Sequence, residues 1–212
     1  MNKPVLRTEP YDVEKIRADF PILAREVYGK PLVYLDNAAS AQKPRAVIDA
    51  VGEAYRNEYS NVHRGMHYLS NAATEKFEAA RETARAFLNA ASTDEIVFAS
   101  GATDAINLVA SSFAEPMIEP GAEIIPSVLE HHSNIVPWHF LRERNGAVLK
   151  YVPVTDEGDL DVEAYQNLFT PRTKTVALPS MSNALGTITP IRDTIRISHE
   201  RGVPALVAAC QG

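Results

Sequence analysis

The sequence contains a single cysteine, Cys210, among its 212 residues. One cysteine excludes an internal disulfide, and such sparse use of cysteine is typical of a reducing compartment. No apolar stretch of signal-peptide length lies between Met1 and Asp19, and no segment approaches the length of a membrane span. These absences predict a cytoplasmic protein without a membrane partner.

Positive charge is also scarce, because 21 lysines and arginines face 27 acidic residues and leave a formal net charge of −6. Nucleic-acid binding needs clustered Lys and Arg to neutralise phosphates, and here the basic residues are scattered. The composition therefore argues against a nucleic-acid binder. A hydrophobic fraction of 45% and a charged fraction of 23% are typical of a soluble globular protein of one or two domains.

Apolar runs alternate with amphipathic helical patterns along the chain. The predicted strands cover residues 33–35, 96–98, 123–128, 148–152, 173–178 and 203–207. The predicted helices cover residues 12–20, 44–55, 70–89, 104–113, 133–144, 161–168 and 191–200. This alternation implies an α/β fold with a mainly parallel sheet and helices on both faces. Pro126 and Pro179 fall in or beside predicted interior strands, where proline removes a donor from the ladder.

The segment Ser100-Gly101-Ala102-Thr103 lies between a predicted strand and the start of a predicted helix. Its backbone N–H groups and the Thr103 hydroxyl suit a phosphate at the positive end of a helix. A plain glycine turn with a capping Ser or Thr has the same pattern and, taken alone, is the more common use of it.

Two pairs of histidines are candidates for chemistry. His131 and His132 follow predicted strand 123–128, at the kind of position where open α/β sheets bind ligands. An exposed pair or a helix-capping pair fits equally well, and a metal site is disfavoured because adjacent residues seldom direct both rings at one ion. His63 and His67 are four residues apart, but Gly65 between them indicates a loop.

Asn183 also follows a predicted strand, where its amide suits the edge of a ligand. Asparagine is, however, a common turn residue, and the turn alone explains its presence. Each candidate is weak singly. Their shared placement after parallel strands favours a single ligand site.

Five ordered segments resemble the SUF-type (group II) cysteine desulfurases, and the resemblance runs from about Tyr11 to Gly212. These segments are Tyr34-Leu35-Asp36-Asn37-Ala38-Ala39-Ser40, Asn61-Val62-His63-Arg64-Gly65, Ser100-Gly101-Ala102-Thr103-Asp104-Ala105-Ile106-Asn107, Glu130-His131-His132-Ser133-Asn134-Ile135-Val136-Pro137-Trp138 and Met181-Ser182-Asn183-Ala184-Leu185-Gly186. The resemblance implies the N-terminal part of a fold-type I, class V large domain that uses pyridoxal 5′-phosphate (PLP). Residues 1–30 would form an N-terminal helical segment, and residues 31–212 an incomplete large domain.

The same resemblance implies roles for individual residues in holding PLP. Amides around Ala102 and the Thr103 hydroxyl would bind the phosphate, and His131 would stack on the pyridine ring and assist proton transfers. Asn183 would lie beside the substrate carboxylate and the ring oxygen, and Gln211 would hydrogen-bond the phenolic oxygen. These donors match what PLP needs, because its ring supplies the electron sink.

The resemblance further implies a substrate and partners. Members of the family take sulfur from L-cysteine, release alanine and pass a persulfide to sulfur-acceptor proteins of iron–sulfur assembly. His63 would belong to the loop that lines the substrate pocket. Two alternatives stay open: a selenocysteine lyase-like class V enzyme, or a non-catalytic module that pairs with a full-length homologue.

The chain departs from the family at the end of the last predicted strand. Where the family reads Val-Asp-Gly-Ala-Gln, this chain reads Val207-Ala208-Ala209-Cys210-Gln211. Ala208 replaces the carboxylate that pairs with the pyridinium nitrogen, and Cys210, on a predicted buried strand, is expected to be inert.

The Schiff-base lysine, the sulfur-accepting cysteine and the substrate-binding arginine of the family lie further along the family's chain than Gly212. We therefore expect a truncated copy that neither attaches PLP covalently nor turns over cysteine. Apolar surface left uncovered would favour a homo-oligomer or other self-association.

Overall fold

The computed structural model describes residues 11–212, which divide into two compact units, one ending at Val97 and the other running from Phe98 to Gly212. The first unit contains helix α1 (Val13–Ala18), the antiparallel hairpin of β1 (Glu26–Val27) and β2 (Lys30–Pro31), helix α2 (Arg45–Glu53) and helix α3 (Tyr68–Leu88). A π-helical turn over Ala54–Glu58 extends α2, and short 3₁₀ turns cover Pro21–Ala24 and Thr93–Glu95.

The second unit alternates helices with strands. In chain order it contains α4 (Ala102–Val109), β3 (Glu123–Pro126), α5 (Val136–Asn145), β4 (Val148–Leu149), α6 (Val162–Leu168), β5 (Thr173–Pro179), α7 (Ile191–His199) and β6 (Ala205–Ala208). A π-helical turn and a 3₁₀ turn extend α4 through Met117, and a 3₁₀ turn over His132–Asn134 precedes α5.

The four strands of the second unit form one parallel sheet in the order β4-β3-β5-β6. Alternate residues of β3 enter two separate cores. Ile124 packs with residues of α4 and α5, including Ile106 and Trp138, whereas Ile125 packs with Tyr165 of α6 and Ile197 of α7. Helices therefore cover both faces of the sheet, as the alternation predicts, because a parallel sheet buries both faces.

Proline ends the two central strands. Pro126 is the last residue of β3, and Pro179 is the last residue of β5. The carbonyl of Pro126 still accepts a hydrogen bond from the N–H of Val152. The prolines are thus compatible with interior strands, since each one stands where its strand ends.

Three sequence predictions are wrong in detail. Residues 33–35 and 96–98 are not strands, and their side chains include the exposed Leu35 and Val97. An apolar run of three residues forms a strand only where a neighbouring strand supplies hydrogen bonds, and within residues 11–212 neither run belongs to a strand. The strand predicted over 148–152 shortens to β4, with Val152 joined to Ser127 by an isolated bridge.

The remaining predicted elements are present with ends shifted by a few residues. Helix α6 begins as expected at Asp161, whose Oδ1 accepts a hydrogen bond from the N–H of Ala164 at 2.8 Å. Within residues 11–212 no helix is both long and apolar enough to cross a membrane.

Candidate functional site

An open cavity lies at the carboxyl ends of β3, β5 and β6, within the second unit, and its volume is about 600 Å³ when the space open to solvent is included. The residues predicted for PLP binding in this unit all line it: Ala102, Thr103, His131, Asn183 and Gln211. The structure therefore brings together five positions that are up to 109 residues apart in sequence (211 − 102). Their individual roles stay predictions.

The N-terminus of α4 forms one side of the cavity. Gly101 is the N-cap and has no side chain to bond the first N–H groups of the helix. The Asp104 carboxylate accepts a hydrogen bond from the N–H of Ser100 at 3.1 Å, outside the helix, rather than from the first turn. The N–H groups of Ala102 and Thr103 therefore belong to the positive end of the helix, and both residues line the cavity.

His131 caps the 3₁₀ turn after β3. Its Nδ1 accepts a hydrogen bond from the N–H of Ser133 at 3.1 Å and lies 2.9 Å from the Ser133 hydroxyl. Because Nδ1 is the acceptor, the neutral ring carries its proton on Nε2. The ring is fixed at one nitrogen and exposed, so its other nitrogen is available to a ligand.

Asn183 stands in a tight turn after β5. The buried Ser182 hydroxyl donates to the carbonyl of Leu129 at 3.4 Å and accepts from the N–H of Leu185 at 3.3 Å. Gly186 closes the turn with a φ of 73°. The two interpretations of Asn183, as a turn residue and as a residue beside a ligand, are therefore compatible, because the turn itself places the exposed Asn183 at the cavity.

The exit from β6 contributes Ala208, Cys210 and Gln211 to the cavity wall. The carbonyl of Ala208 accepts a hydrogen bond from the N–H of Ser180 at 2.8 Å, which fixes this wall against the exit from β5. Cys210 was expected on a buried strand, and that expectation is wrong: the strand ends at Ala208 and Cys210 is exposed. Cys210 is one of the residues that line the cavity.

Glu130 is a cavity residue to which sequence reasoning gives no role. Burial raises its pKa to about 8, and hydrogen bonding to the Asn134 amide offsets only part of this rise. Neither Oε1 of Glu130 nor Nδ2 of Asn134 makes a hydrogen bond of normal length and angle to another described residue. The position of Glu130 next to His131 was the one signal of a role at the site. The sequence alone does not show that the Glu130 carboxyl is buried.

His63 belongs to the first unit, in the loop before α3. Its φ is 68°, its Nε2 lies 2.6 Å from Oε1 of Glu78, and its ring packs edge-on against Phe77. The hydrogen bond from His63 is the main cause that lowers the pKa of Glu78. The loop prediction is confirmed, and the role of His63 at a substrate pocket stays a prediction.

The loop that carries His63 is held by one buried hydroxyl. Ser70 Oγ donates to the carbonyl of Asn61 at 2.7 Å and accepts from the N–H of Gly65 at 3.0 Å. A Cβ at Gly65 would lie 2.2 Å from Ser70, so glycine is required there. For the part of the chain that the structure covers, no cluster of three or more His, Cys, Asp or Glu side chains suits a metal ion.

Comparison with known proteins identifies the family. The aminotransferase class-V family model matches residues 33–212. The chain belongs to this family. The match includes every cavity residue and the loop of His63.

Curated relatives of this class-V chain include cysteine desulfurases. One from Escherichia coli is 50% identical over 201 residues, which are 95% of this chain and 50% of the relative. One from Synechococcus elongatus is 49% identical over 95% of this chain and 32% of its own length. The chain therefore spans half or less of the length of these relatives.

Solved structures agree on the fold. The cysteine desulfurase CsdA of Escherichia coli, in its S-sulfonic acid form, is 37% identical with a TM-score of 0.79 over 94% of this chain and 49% of that one. An apo cysteine desulfurase of Thermococcus onnurineus is 33% identical with a TM-score of 0.85 over 93% and 47% of the two chains. The fold of this chain is that of PLP-dependent cysteine desulfurases, with the parallel sheet in the same α/β architecture.

Proposed function

We propose that the second unit forms the phosphate- and ring-binding part of a PLP site like that of the SUF-type (group II) cysteine desulfurases. We further propose that this chain by itself does not turn over L-cysteine. The observation that supports the first proposal is the convergence of Thr103, His131, Asn183 and Gln211 on one cavity. PLP, where bound, supplies an electron sink for bonds at the substrate's α-carbon.

The phosphate end fits the start of α4. Free first-turn amides at a helix N-terminus bind anions, and the Thr103 hydroxyl adds a donor at the same cavity wall. No side chain of the N-cap competes for those amides. Amide and hydroxyl donors of this kind suit a phosphate monoester.

The ring end fits the other three residues. The exposed His131 ring offers a flat face to a pyridine ring and an Nε2 proton to a substrate atom. The Asn183 and Gln211 carboxamides offer N–H donors to the ring oxygen and to a substrate carboxylate. These groups hold and orient a ligand without themselves supplying charge.

The ring nitrogen is where this cavity does not fit PLP. Ala208 presents a methyl group at the wall where the family carries a carboxylate. A methyl group neither pairs with a pyridinium nor keeps it protonated, so it weakens both the binding and the electron sink. This mismatch supports the proposal that the chain alone is inactive.

The wider role that we propose follows the cysteine desulfurase relatives. The substrate is L-cysteine, the products are alanine and a persulfide, and a sulfur-acceptor protein of iron–sulfur assembly receives the sulfur. We propose a cytoplasmic location on the strength of the single cysteine. A selenocysteine lyase-like substrate preference is the alternative for the same cavity.

PLP binding tests the site. We expect Thr103→Val to weaken binding about tenfold or more, because it removes a hydroxyl that donates to a charged phosphate. Ala208→Asp should strengthen binding about tenfold by supplying the missing ion partner. Equilibrium dialysis measures both, and Thr83→Val, an exposed helical threonine of the first unit, is the matched control. Equal affinity of Thr103→Val and the unmodified chain would contradict the phosphate site.

Alanine production tests the second proposal separately. With PLP and L-cysteine present, the chain should form alanine no faster than free PLP does. A faster rate would refute the inactive assignment and leave the binding site intact.

A second candidate function is pairing with another polypeptide. An apolar groove of about 470 Å³ runs between α4 and β6, lined by Ala105, Ile106, Val109 and Leu206 among others. Strand β6 is an edge of the sheet, and unpaired edges next to apolar surface favour association. We propose a second copy of this chain as the occupant.

A further inference from the structure

We propose that Glu130 is a ligand-binding residue of this cavity which, in its neutral carboxylic acid form, donates a hydrogen bond to an anionic oxygen of the bound ligand. The inference rests on the proposed PLP site, because PLP is the anionic ligand considered. It adds a residue and a proton to that site.

The position of Glu130 is fixed from two sides. In the preceding turn, the N–H of the buried Leu129 donates to Oγ of the fully buried Ser127 at 3.1 Å. The carbonyl of Leu129 accepts a hydrogen bond from Ser182, in the turn that carries Asn183. Glu130 therefore follows a backbone segment that is tied to both β3 and the exit of β5.

One protein group favours the ionised form of the carboxyl, because hydrogen bonding from the Asn134 side chain lowers the pKa of Glu130, but the effect of burial is larger. Oε1 is buried and makes no hydrogen bond of normal length and angle to a described residue. The titratable groups among the other lining residues are the His131 ring, beside it in the same turn, and the Cys210 thiol at the exit of β6. The Asp104 carboxylate, in the first turn of α4, is directed at the N–H of Ser100. His132 lies with its ring centroid 6.1 Å from that of His131.

This environment places an acid at the cavity wall, where the O–H of its neutral form is a donor for a ligand. Burial raises the pKa of Glu130 to about 8, so the acid is neutral at pH 7. A neutral acid that faces a cavity can complete its hydrogen bonding with a phosphate or carboxylate oxygen of a ligand. An ionised Glu130 would instead repel the same oxygen.

The affinity for PLP should therefore depend on the proton of Glu130. Using Cys210→Ser as the common background removes the thiol from the titration and from reaction with the aldehyde. Between pH 7 and pH 9, we expect the affinity of the background protein to fall about tenfold more than that of Glu130→Gln in the same background, since the change spans one unit above a pKa of about 8. The pH dependence of PLP itself and of His131 is common to both proteins and cancels in the comparison.

A second measurement needs no substitution at Glu130. Calorimetry at pH 8.5 in buffers of different ionisation enthalpy should show uptake of about 0.7 proton more per PLP bound than at pH 6.5, because the free acid is mostly ionised at the higher pH when its pKa is about 8. Parallel pH profiles for the two proteins, or equal proton uptake at both pH values, would overturn the role of Glu130 alone. Absence of PLP binding at every pH would overturn the proposed function as well, so the two failures are distinguishable.

Discussion

Glu123 is the first residue of the short strand β3 and Glu130 follows the end of that strand, and the pKa values of the two carboxyl groups shift in opposite directions. Glu123 is fully buried, yet hydrogen bonds from Thr170, Lys150 and Arg172 outweigh that burial and lower its pKa to about 2. Its oxygens lie 2.6 Å from the Thr170 hydroxyl and 2.9 Å from the Lys150 ammonium. A buried carboxylate stays charged when its hydrogen-bond partners outweigh the effect of burial on its pKa, and it becomes neutral when they do not.

The first residue-scale prediction concerns Glu123→Gln. Since the change removes the charge but not the volume, we expect a loss of about 2–4 kcal/mol in the free energy of unfolding at pH 7. The pKa of Glu123 is lower in the folded state, so its stabilisation is present above about pH 4.5 and is lost as the pH falls toward 2. The difference in the free energy of unfolding between the variant and the unmodified protein should therefore be smaller at pH 3 than at pH 7.

Urea unfolding followed by the fluorescence of Trp138 measures this gap. Trp138 is the only tryptophan and is fully buried in the second unit. Glu119→Gln, an exposed acid of the same unit, is the control and should leave stability within about 0.5 kcal/mol. A gap that is the same at pH 7 and pH 3 would show that Glu123 does not act through its charge.

Sequence reasoning locates the cavity residues but not their protonation. Thr103, His131 and Asn183 could be grouped because each follows a predicted strand and the carboxyl ends of parallel strands meet at one edge of a sheet. Gln211 was added only by the resemblance to the cysteine desulfurases. Glu130 could not be singled out, since its pKa depends on burial by residues distant in sequence. Cys210 was misplaced because the end of β6 depends on its pairing with β5.

At the scale of elements, helix ends were easier to predict than short strands. The helix predicted to end at residue 144 is α5, which ends at Asn145 with Gly146 as its C-cap at a φ of 75°. Asp161 and Gly146 act through local hydrogen bonds and dihedral angles, which the sequence specifies directly. Residues 33–35 and 96–98 were misassigned because a strand depends on its neighbours and not on its own residues alone.

Gly146→Ala gives the element-scale prediction. Its Cβ would stand 3.3 Å from Cα of Pro120, in a left-handed backbone conformation. We expect a loss of about 1–3 kcal/mol in the free energy of unfolding. Gly202→Ala is the matched control, because it has a similar φ of 70° and no atom within 4 Å of the added Cβ. Urea unfolding should place Gly146→Ala below Gly202→Ala, and equal losses would mean that the contact with Pro120 has no cost.

At the scale of the whole molecule, the groove between α4 and β6 predicts self-association. A glutamate in place of Val109, which lines the groove, would put a charge against Leu206 and the apolar wall. We expect light scattering to show a smaller species for Val109→Glu than for the unmodified chain at the same concentration.

The control for that experiment lies one residue away. Leu108 is 44% exposed and does not line the groove, so Leu108→Glu should leave the molecular mass unchanged. If both variants have the same mass as the unmodified chain, the groove is not an interface between copies. If both variants have a smaller molecular mass than the unmodified chain, the interface covers a different face of α4.

Pro126 and Pro179 have a consequence for the depth of the cavity. Neither residue has an N–H, so each lacks the donor that continued pairing would use at its position. Pro179 is itself part of the cavity floor. Contact with the neighbouring strand beyond each proline therefore depends on the residue that follows, through the bridge of Ser127 to Val152 and the hydrogen bond from Ser180 to Ala208, and the turns that carry the cavity residues start from these two contacts.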